Sequence, residues 1–304
     1  MWLYSLPVVA LFVITMAANL TSQITKNSFV KKYASAADKY LFIAFGGIVS
    51  VAALFLSGGI KTLSPFTFLT ACGFGALTLI QSYFMLRAYD SGSFAYTSVI
   101  VSLSTIIPAF SGAIFWNETL YPAQIAGIVL LVLCFALCVG KDKEKKQMSV
   151  KWLACVFLAF LSTGFIGVMQ KAHQSSAYAD ELNGFLIISF LISALAAGIC
   201  AVIALKRKKA EQNDNADGEE KPAKGVAYFL PIVLSGVGVA LNNVINLYLS
   251  GKVDSAVFFP IVNGGGLILV TLCAVVLYRE KLSVKQWIGI IVGIISVVLL
   301  SNPF

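Results

Sequence analysis

Residues 117–127 read NETLYPAQIAG, and residues 279–289, 162 positions further on, read REKLSVKQWIG. Glu118, Leu120, Gln124 and Gly127 of the first stretch match Glu280, Leu282, Gln286 and Gly289 of the second, and each stretch leads into a run of Ile, Val and Leu. The match extends backwards without gaps, with SFAYTSVIV at 93–101 against SAVFFPIVN at 255–263. A polar corner that recurs between apolar runs says that the chain is two copies of one unit.

Composition says what medium that unit is built for. Of the 304 residues, 59% are hydrophobic and only 12% are charged, against about 25% charged in a soluble domain. Such a chain cannot cover a water-facing surface. Apolar runs of near 20 residues recur along it, each long enough to cross a bilayer as a helix. The runs are continuous and lack the alternation of a membrane β-barrel. Ten spans are expected, at 3–25, 40–58, 66–89, 94–116, 122–140, 152–173, 182–205, 226–249, 256–278 and 285–301. The N-terminus has no basic region of the kind that opens a cleavable signal.

Two copies of five helices follow, over residues 1–140 and 152–304, joined by a basic loop at 141–151. Five is odd, so the second copy enters the membrane from the opposite side. The expected fold class is therefore an all-α membrane protein of ten transmembrane helices arranged as two inverted five-helix repeats, an architecture recurrent in secondary transporters. Residues 206–224, KRKKAEQNDNADGEEKPAK, are charged and nearly free of large apolar side chains, so they read as a disordered loop.

The net charge of +8 does not point to nucleic acid, because its position is that of membrane topology. Of the 22 Lys and Arg, all but Lys61, Lys171 and Lys252 fall on one side of the ten spans. Basic loops mark the cytoplasmic side, which puts both termini outside. The six cysteines lie within spans without a C-x-x-C pair, and the chain has one His. No metal site or cofactor is expected. An H-E-x-x-H motif is absent, and all 14 acidic residues fall in loops or at helix ends, which leaves poor acid–base machinery for an intramembrane enzyme.

Polar residues inside spans are costly and mark a substrate path. Span one carries Asn19, Gln23 and Lys26 on one helix face, span six repeats the spacing with Thr163, Gly167 and Gln170, and span eight has Asn242, Asn243 and Asn246. Span three adds Gln81, Tyr83 and Arg87, and the repeat offset sets Gln81 opposite Asn243. In spans four and nine, Ser102-Leu103-Ser104 corresponds to Gly264-Gly265-Gly266, with Pro108 after the first and Pro260 and Asn263 before the second. Gly and Pro interruptions at matching positions of two halves point to a transport site. The expected substrate-binding residues are Asn19, Gln23, Gln81, Tyr83, Arg87, Asn242, Asn243, Asn246 and Asn263. Glu118 and Glu280 are expected to cap the helix that follows each of them. Gln124 and Gln286 steady the same corners, and Gly127 and Gly289 allow close helix approach. Gly289 and Gly293 form G-x-x-x-G, a small-residue face that serves either packing within the chain or a homodimer.

The pattern N/R-E-x-L-x-x-x-Q-x-x-G, repeated in both halves between spans, resembles the drug/metabolite transporter superfamily of the EamA type, most clearly over residues 255–289. The resemblance implies membrane transport and a cavity lined by the first, third and fourth helices of each half. It also implies cytoplasmic termini, opposite to the charge count. Small four-helix relatives carry a Glu in their first helix for cation exchange, where span one here has Asn19 and Gln23. Bulky cations are thus poor candidates, and a neutral or zwitterionic solute fits better, with Arg87 available to a carboxylate or phosphate. The expected function is a multi-pass transporter of the cell membrane, whose partners are the bilayer and a small polar metabolite, amino-acid- or sugar-like. The alternatives are a multidrug exporter or a lipid-linked sugar flippase of the same superfamily.

Overall fold

The computed structural model describes residues 6–92, 94–138, 149–213, 225–278 and 284–301, and among these all regular structure is helical. The α-helices are α1 (Val8–Val30), α2 (Ala36–Leu56), α3 (Pro65–Ser91), α4 (Phe94–Ser102), α5 (Ile106–Phe115), α6 (Pro122–Cys138), α7 (Val150–Gln174), α8 (Leu182–Asn213), α9 (Val226–Ser250), α10 (Ser255–Tyr278) and α11 (Val284–Ser301). A single 3-10 turn, Leu103–Thr105, joins α4 to α5, so these two form one interrupted rod. Six helical segments are long and apolar enough to cross a membrane: Val8–Val30, Ala36–Leu56, Pro65–Ser91, Val150–Gln174, Ala179–Arg207 and Val226–Ser250. Their outward faces carry bare Leu56, Leu69, Val150 and Val226. That surface suits lipid, and a bundle whose backbone bonds close within each helix suits it too.

Local chemistry sets where the helices start. The Ser35 hydroxyl accepts from the Asp38 N–H, Ser64 from Thr67 with Pro65 in the first turn, and Ser149 from Trp152. Each satisfies a donor that the first turn leaves free.

Three elements differ from the sequence reading. The first span is shifted towards the C-terminus, to Val8–Val30 after Pro7, so the polar stretch to Lys26 and Asn27 lies inside the helix. Helix α8 continues through Lys206–Lys209 to Asn213. The residues there are Lys, Arg, Ala, Glu and Gln, good helix formers that extend an existing helix without a nucleation penalty. The remainder of the expected loop, 214–224, lies outside the described residues. Third, the matching interruptions of spans four and nine are not alike. Pro108 has no N–H for the Ser104 carbonyl, and span four tightens into its 3-10 turn just before it. Helix α10 runs unbroken through Pro260 and its three glycines. A Cβ at Gly264 or Gly265 would come 2.5 Å from Leu131 Cδ1 or 2.4 Å from Met16 Sδ. These glycines let α6 and α1 pack close, and they do not break the helix.

The most extensive helix pairings are α2 with α8, α6 with α11, α1 with α9, and α3 with α7. Aromatic packing of Phe29, Phe42, Tyr89, Trp152 and Tyr228 joins α1, α2, α3, α7 and α9 at one end. A second cluster around Phe74, Phe185 and Val244 joins α3, α8 and α9. Helices α2 and α9 cross so closely that a Cβ on Gly236 would lie 2.7 Å from the Gly46 carbonyl oxygen.

Candidate functional site

These crossings leave a cavity of about 150 Å³ lined from α1, α3, α4, α5, α7, α9 and α10. Its volume matches that of a cavity able to hold a benzene-sized molecule. Asn19 and Gln23 enter it from α1, Gln81 from α3, Gln170 from α7, Asn242, Asn243 and Asn246 from α9, and Asn263 from α10. Seven of the nine residues expected to bind substrate thus line one cavity. Tyr83 and Arg87 are not among its lining residues. The Tyr83 ring stacks on Tyr40, with centroids 4.5 Å apart and planes 7° from parallel. Two residues along a helix turn a side chain through about 200°, so a helix that turns Gln81 inward turns Tyr83 away.

The amides divide by how far the protein already satisfies them. Asn242 donates to the Thr15 hydroxyl at 2.9 Å, that hydroxyl donates to the Asn246 carbonyl at 2.7 Å, and Asn246 donates back to the Asn242 carbonyl at 3.2 Å. This ring ties α9 to α1. Asn243 accepts from Gln170 at 3.1 Å and donates to the Val239 carbonyl at 2.9 Å. By contrast, among the described residues Gln23 makes only 3.4 Å contacts, with Asn19 and Tyr89, and the Gln81 carbonyl accepts from Ser82 at 3.2 Å. Asn19, Gln23, Gln81 and Asn263 therefore keep hydrogen-bonding capacity towards the cavity.

Two features lie outside the set of expected substrate-binding residues. The Ser104 and Thr105 hydroxyls, at the 3-10 turn, are buried on the cavity wall without a hydrogen-bond partner among the described residues. A helical Ser or Thr ordinarily bonds back to a carbonyl of the preceding turn, and the tightened backbone here leaves both without that bond. The second feature is charge. Lys26 is the one charged residue among the described residues that line the cavity, and it is 8% exposed. The sequence signal was present in the Asn19, Gln23, Lys26 stripe, but the expected charge was assigned to Arg87.

The repeated corner is built differently from its sequence reading. Asn117 adopts a left-handed backbone, φ 52°, which Asn tolerates better than most residues. The turn returns the Glu118 N–H to the Gly112 carbonyl at 3.2 Å. The Glu118 carboxylate then accepts from the Ser255 N–H at 2.7 Å and the Ser255 hydroxyl at 3.3 Å, and it meets the Lys171 ammonium at 2.5 Å. Glu118 therefore caps α10, far along the chain, and not the helix that follows it. That task falls to Gln124, whose carbonyl accepts from the Tyr121 N–H at 3.1 Å. Gly127 lets α11 approach, since the Ser296 hydroxyl donates to its carbonyl at 2.7 Å. Gly289 is buried in α11. A Cβ at Gly293 would lie 2.7 Å from Cys134 Sγ, so this part of the G-x-x-x-G face packs on the chain's own α6. Glu280 and the Gln286 side chain lie outside the described residues. Among those residues no three His, Cys, Asp or Glu groups gather as a metal site would require.

A solved structure described as "Crystal structure of protein" matches with a TM-score of 0.66 over 96% of this chain and 98% of the other, at 16% identity. At that identity the likeness concerns the fold alone. No curated protein matches. The family model for EamA-like transporters matches residues 150–302, half of the chain. A multi-pass helical bundle with a polar cavity at its centre is what such a protein requires, and the chain belongs to the EamA-like transporter family, consistent with the drug/metabolite transporter superfamily.

Proposed function

We propose that the chain is a secondary transporter of the cell membrane, which moves a small polar metabolite by alternating access between two inverted five-helix repeats. The observation that carries this reading is a single cavity whose amides come from both halves, Asn19, Gln23 and Gln81 from one and Gln170, Asn243 and Asn263 from the other. The helix pairings support the symmetry. Matching the repeats pairs α1 with α7, α2 with α8, α3 with α9 and α6 with α11, and that operation exchanges the α1–α9 contact with α3–α7 and returns α2–α8 and α6–α11 to themselves. The Glu118 corner marks where the two halves meet, because its contacts to Lys171 and Ser255 cross between them. A multidrug exporter for cations is less well supported, since no Asp or Glu is among the described lining residues.

The test is solute uptake into proteoliposomes that hold the purified protein. The panel contains amino acids, sugars, cationic drugs and a lipid-linked sugar. Saturable uptake of a polar metabolite, lost in Asn263→Ala or Gln81→Ala, is the expected result. Uptake of only cationic drugs, or flipping of only the lipid-linked sugar, would replace this reading with one of its alternatives.

A further inference from the structure

We infer that the transported solute carries a single carboxylate, and that Lys26 is its counter-charge in the cavity. The inference rests on the transporter reading and narrows its substrate class. It starts from the unequal fates of two lysines. Lys26 lies inside α1, four residues before its end at Val30, and Lys171 sits in the last turn of α7, corresponding places in the two halves. Both are buried. Lys171 is neutralised by Glu118 at 2.5 Å. Lys26 has no carboxylate within ion-pairing distance among the described residues, and it lines the cavity.

An ammonium withdrawn from water without a partner is strongly unfavourable. A cavity that holds one is poised for an anion. The rest of the wall agrees, because an anion is met by donors. The Ser104 and Thr105 hydroxyls, without a partner among the described residues, and the spare amide of Gln81 can all donate. Stoichiometry of charge favours a carboxylate over a phosphate. One lysine neutralises one negative charge, whereas a phosphomonoester near neutral pH carries about 1.5 to 2 and would leave a remainder that no second cation among the described lining residues meets. The volume of about 150 Å³ sets the scale of the solute at a few heavy atoms beyond the carboxylate.

The experiment is thermal unfolding of the full chain in detergent, with matched probes: alanine against alaninamide, lactate against lactamide, and glycerol phosphate. Wild type, Lys26→Gln, Lys26→Arg and Lys171→Gln are compared. The expected result is that a carboxylate raises the melting temperature of wild type and its amide does not. Lys26→Gln should weaken carboxylate binding about tenfold or more, the worth of a hydrogen bond to a charged group, and Lys26→Arg should retain the preference. Without ligand, Lys26→Gln should melt at or above wild type, since it removes an unpaired buried charge, while Lys171→Gln should melt lower. Equal binding of acid and amide, unaltered carboxylate binding in Lys26→Gln, or a preference for the phosphate would each overturn the inference and leave the transporter reading intact. A drop in unliganded stability for Lys26→Gln as large as for Lys171→Gln would also overturn it, by showing that Lys26 is neutralised within the chain. If no polar solute of any charge binds or is taken up, the transporter reading itself fails.

Discussion

The Lys171 ammonium lies 2.5 Å from the Glu118 carboxylate, and the two side chains are 10% and 7% exposed. The pair joins the end of α7 to the turn after α5. Because Glu118 also accepts from Ser255, three segments meet at one carboxylate. Removing one partner of a buried pair leaves the other charge uncompensated, at about 3 kcal/mol or more. Glu118→Gln and Lys171→Gln should each lower stability by that order in urea or thermal unfolding. The double variant Glu118→Gln/Lys171→Met should lose much less than the sum, since it leaves no stranded ion. Additive losses would mean that the two groups do not act as a pair.

Gly112 makes room for that carboxylate. A Cβ there would stand 2.1 Å from Glu118 Oε2 and 2.8 Å from Ser255 Cβ, so Gly112→Ala must displace one of them. Its stability loss should be at least that of Glu118→Gln and should shrink when Glu118 is already Ala, which removes the nearer of the two obstacles. Gly198 is the control, because nothing lies within 4 Å of its Cβ position. Alanine there should stabilise α8 by about 0.5–1 kcal/mol through helix propensity alone. A double-mutant cycle at 112 and 118 that shows no coupling would refute this account.

The contrast between these corners and the cavity shows what the sequence could and could not reveal. The apolar spans and the positions of Asn19, Gln81, Asn243 and Asn263 were legible, because a polar side chain in a hydrocarbon-length run has few places to go. The face of α3 was not. Gln81, Tyr83 and Arg87 are all polar, and only the packing of Tyr83 on Tyr40 decides which side of that helix meets the cavity. The partner of Glu118 was illegible for a different reason. A carboxylate at a turn reads locally as a cap for the next helix, and the contact with Ser255, 137 residues away, is fixed by tertiary packing. The end of α8 was misread because low hydropathy was taken as disorder, although the same residues propagate a helix well.

Thr15 separates the structural amides from those left to bind. Its hydroxyl sits between Asn242 and Asn246, so Thr15→Val removes the donor to the Asn246 carbonyl, while Asn242 keeps the Thr15 backbone carbonyl at 3.1 Å, and should cost about 1–3 kcal/mol. Thr15→Ser keeps the hydroxyl and should cost less. Asn263→Ala, at a residue that none of the described hydrogen bonds holds, should leave unfolding within about 0.5 kcal/mol of wild type while transport weakens. If Thr15→Val proves silent in stability, Asn242 and Asn246 belong with the binding amides instead.

Ser104 and Thr105 give the sharpest separation of stability from function. Each buries a hydroxyl without a partner among the described residues, and an unsatisfied buried polar group costs about 1–3 kcal/mol. Ser104→Ala and Thr105→Val keep the approximate shape and remove that penalty. Both variants should therefore unfold at the same or higher temperature than wild type when no ligand is present. Their solute affinity should fall, because the hydroxyls that strain the empty protein are donors for the bound one. Opposite signs for the two effects are the signature of a binding group, as strain at a functional site is exchanged for interaction on binding. If both variants lose stability in the empty state, the hydroxyls are satisfied within the fold and have no claim on the solute.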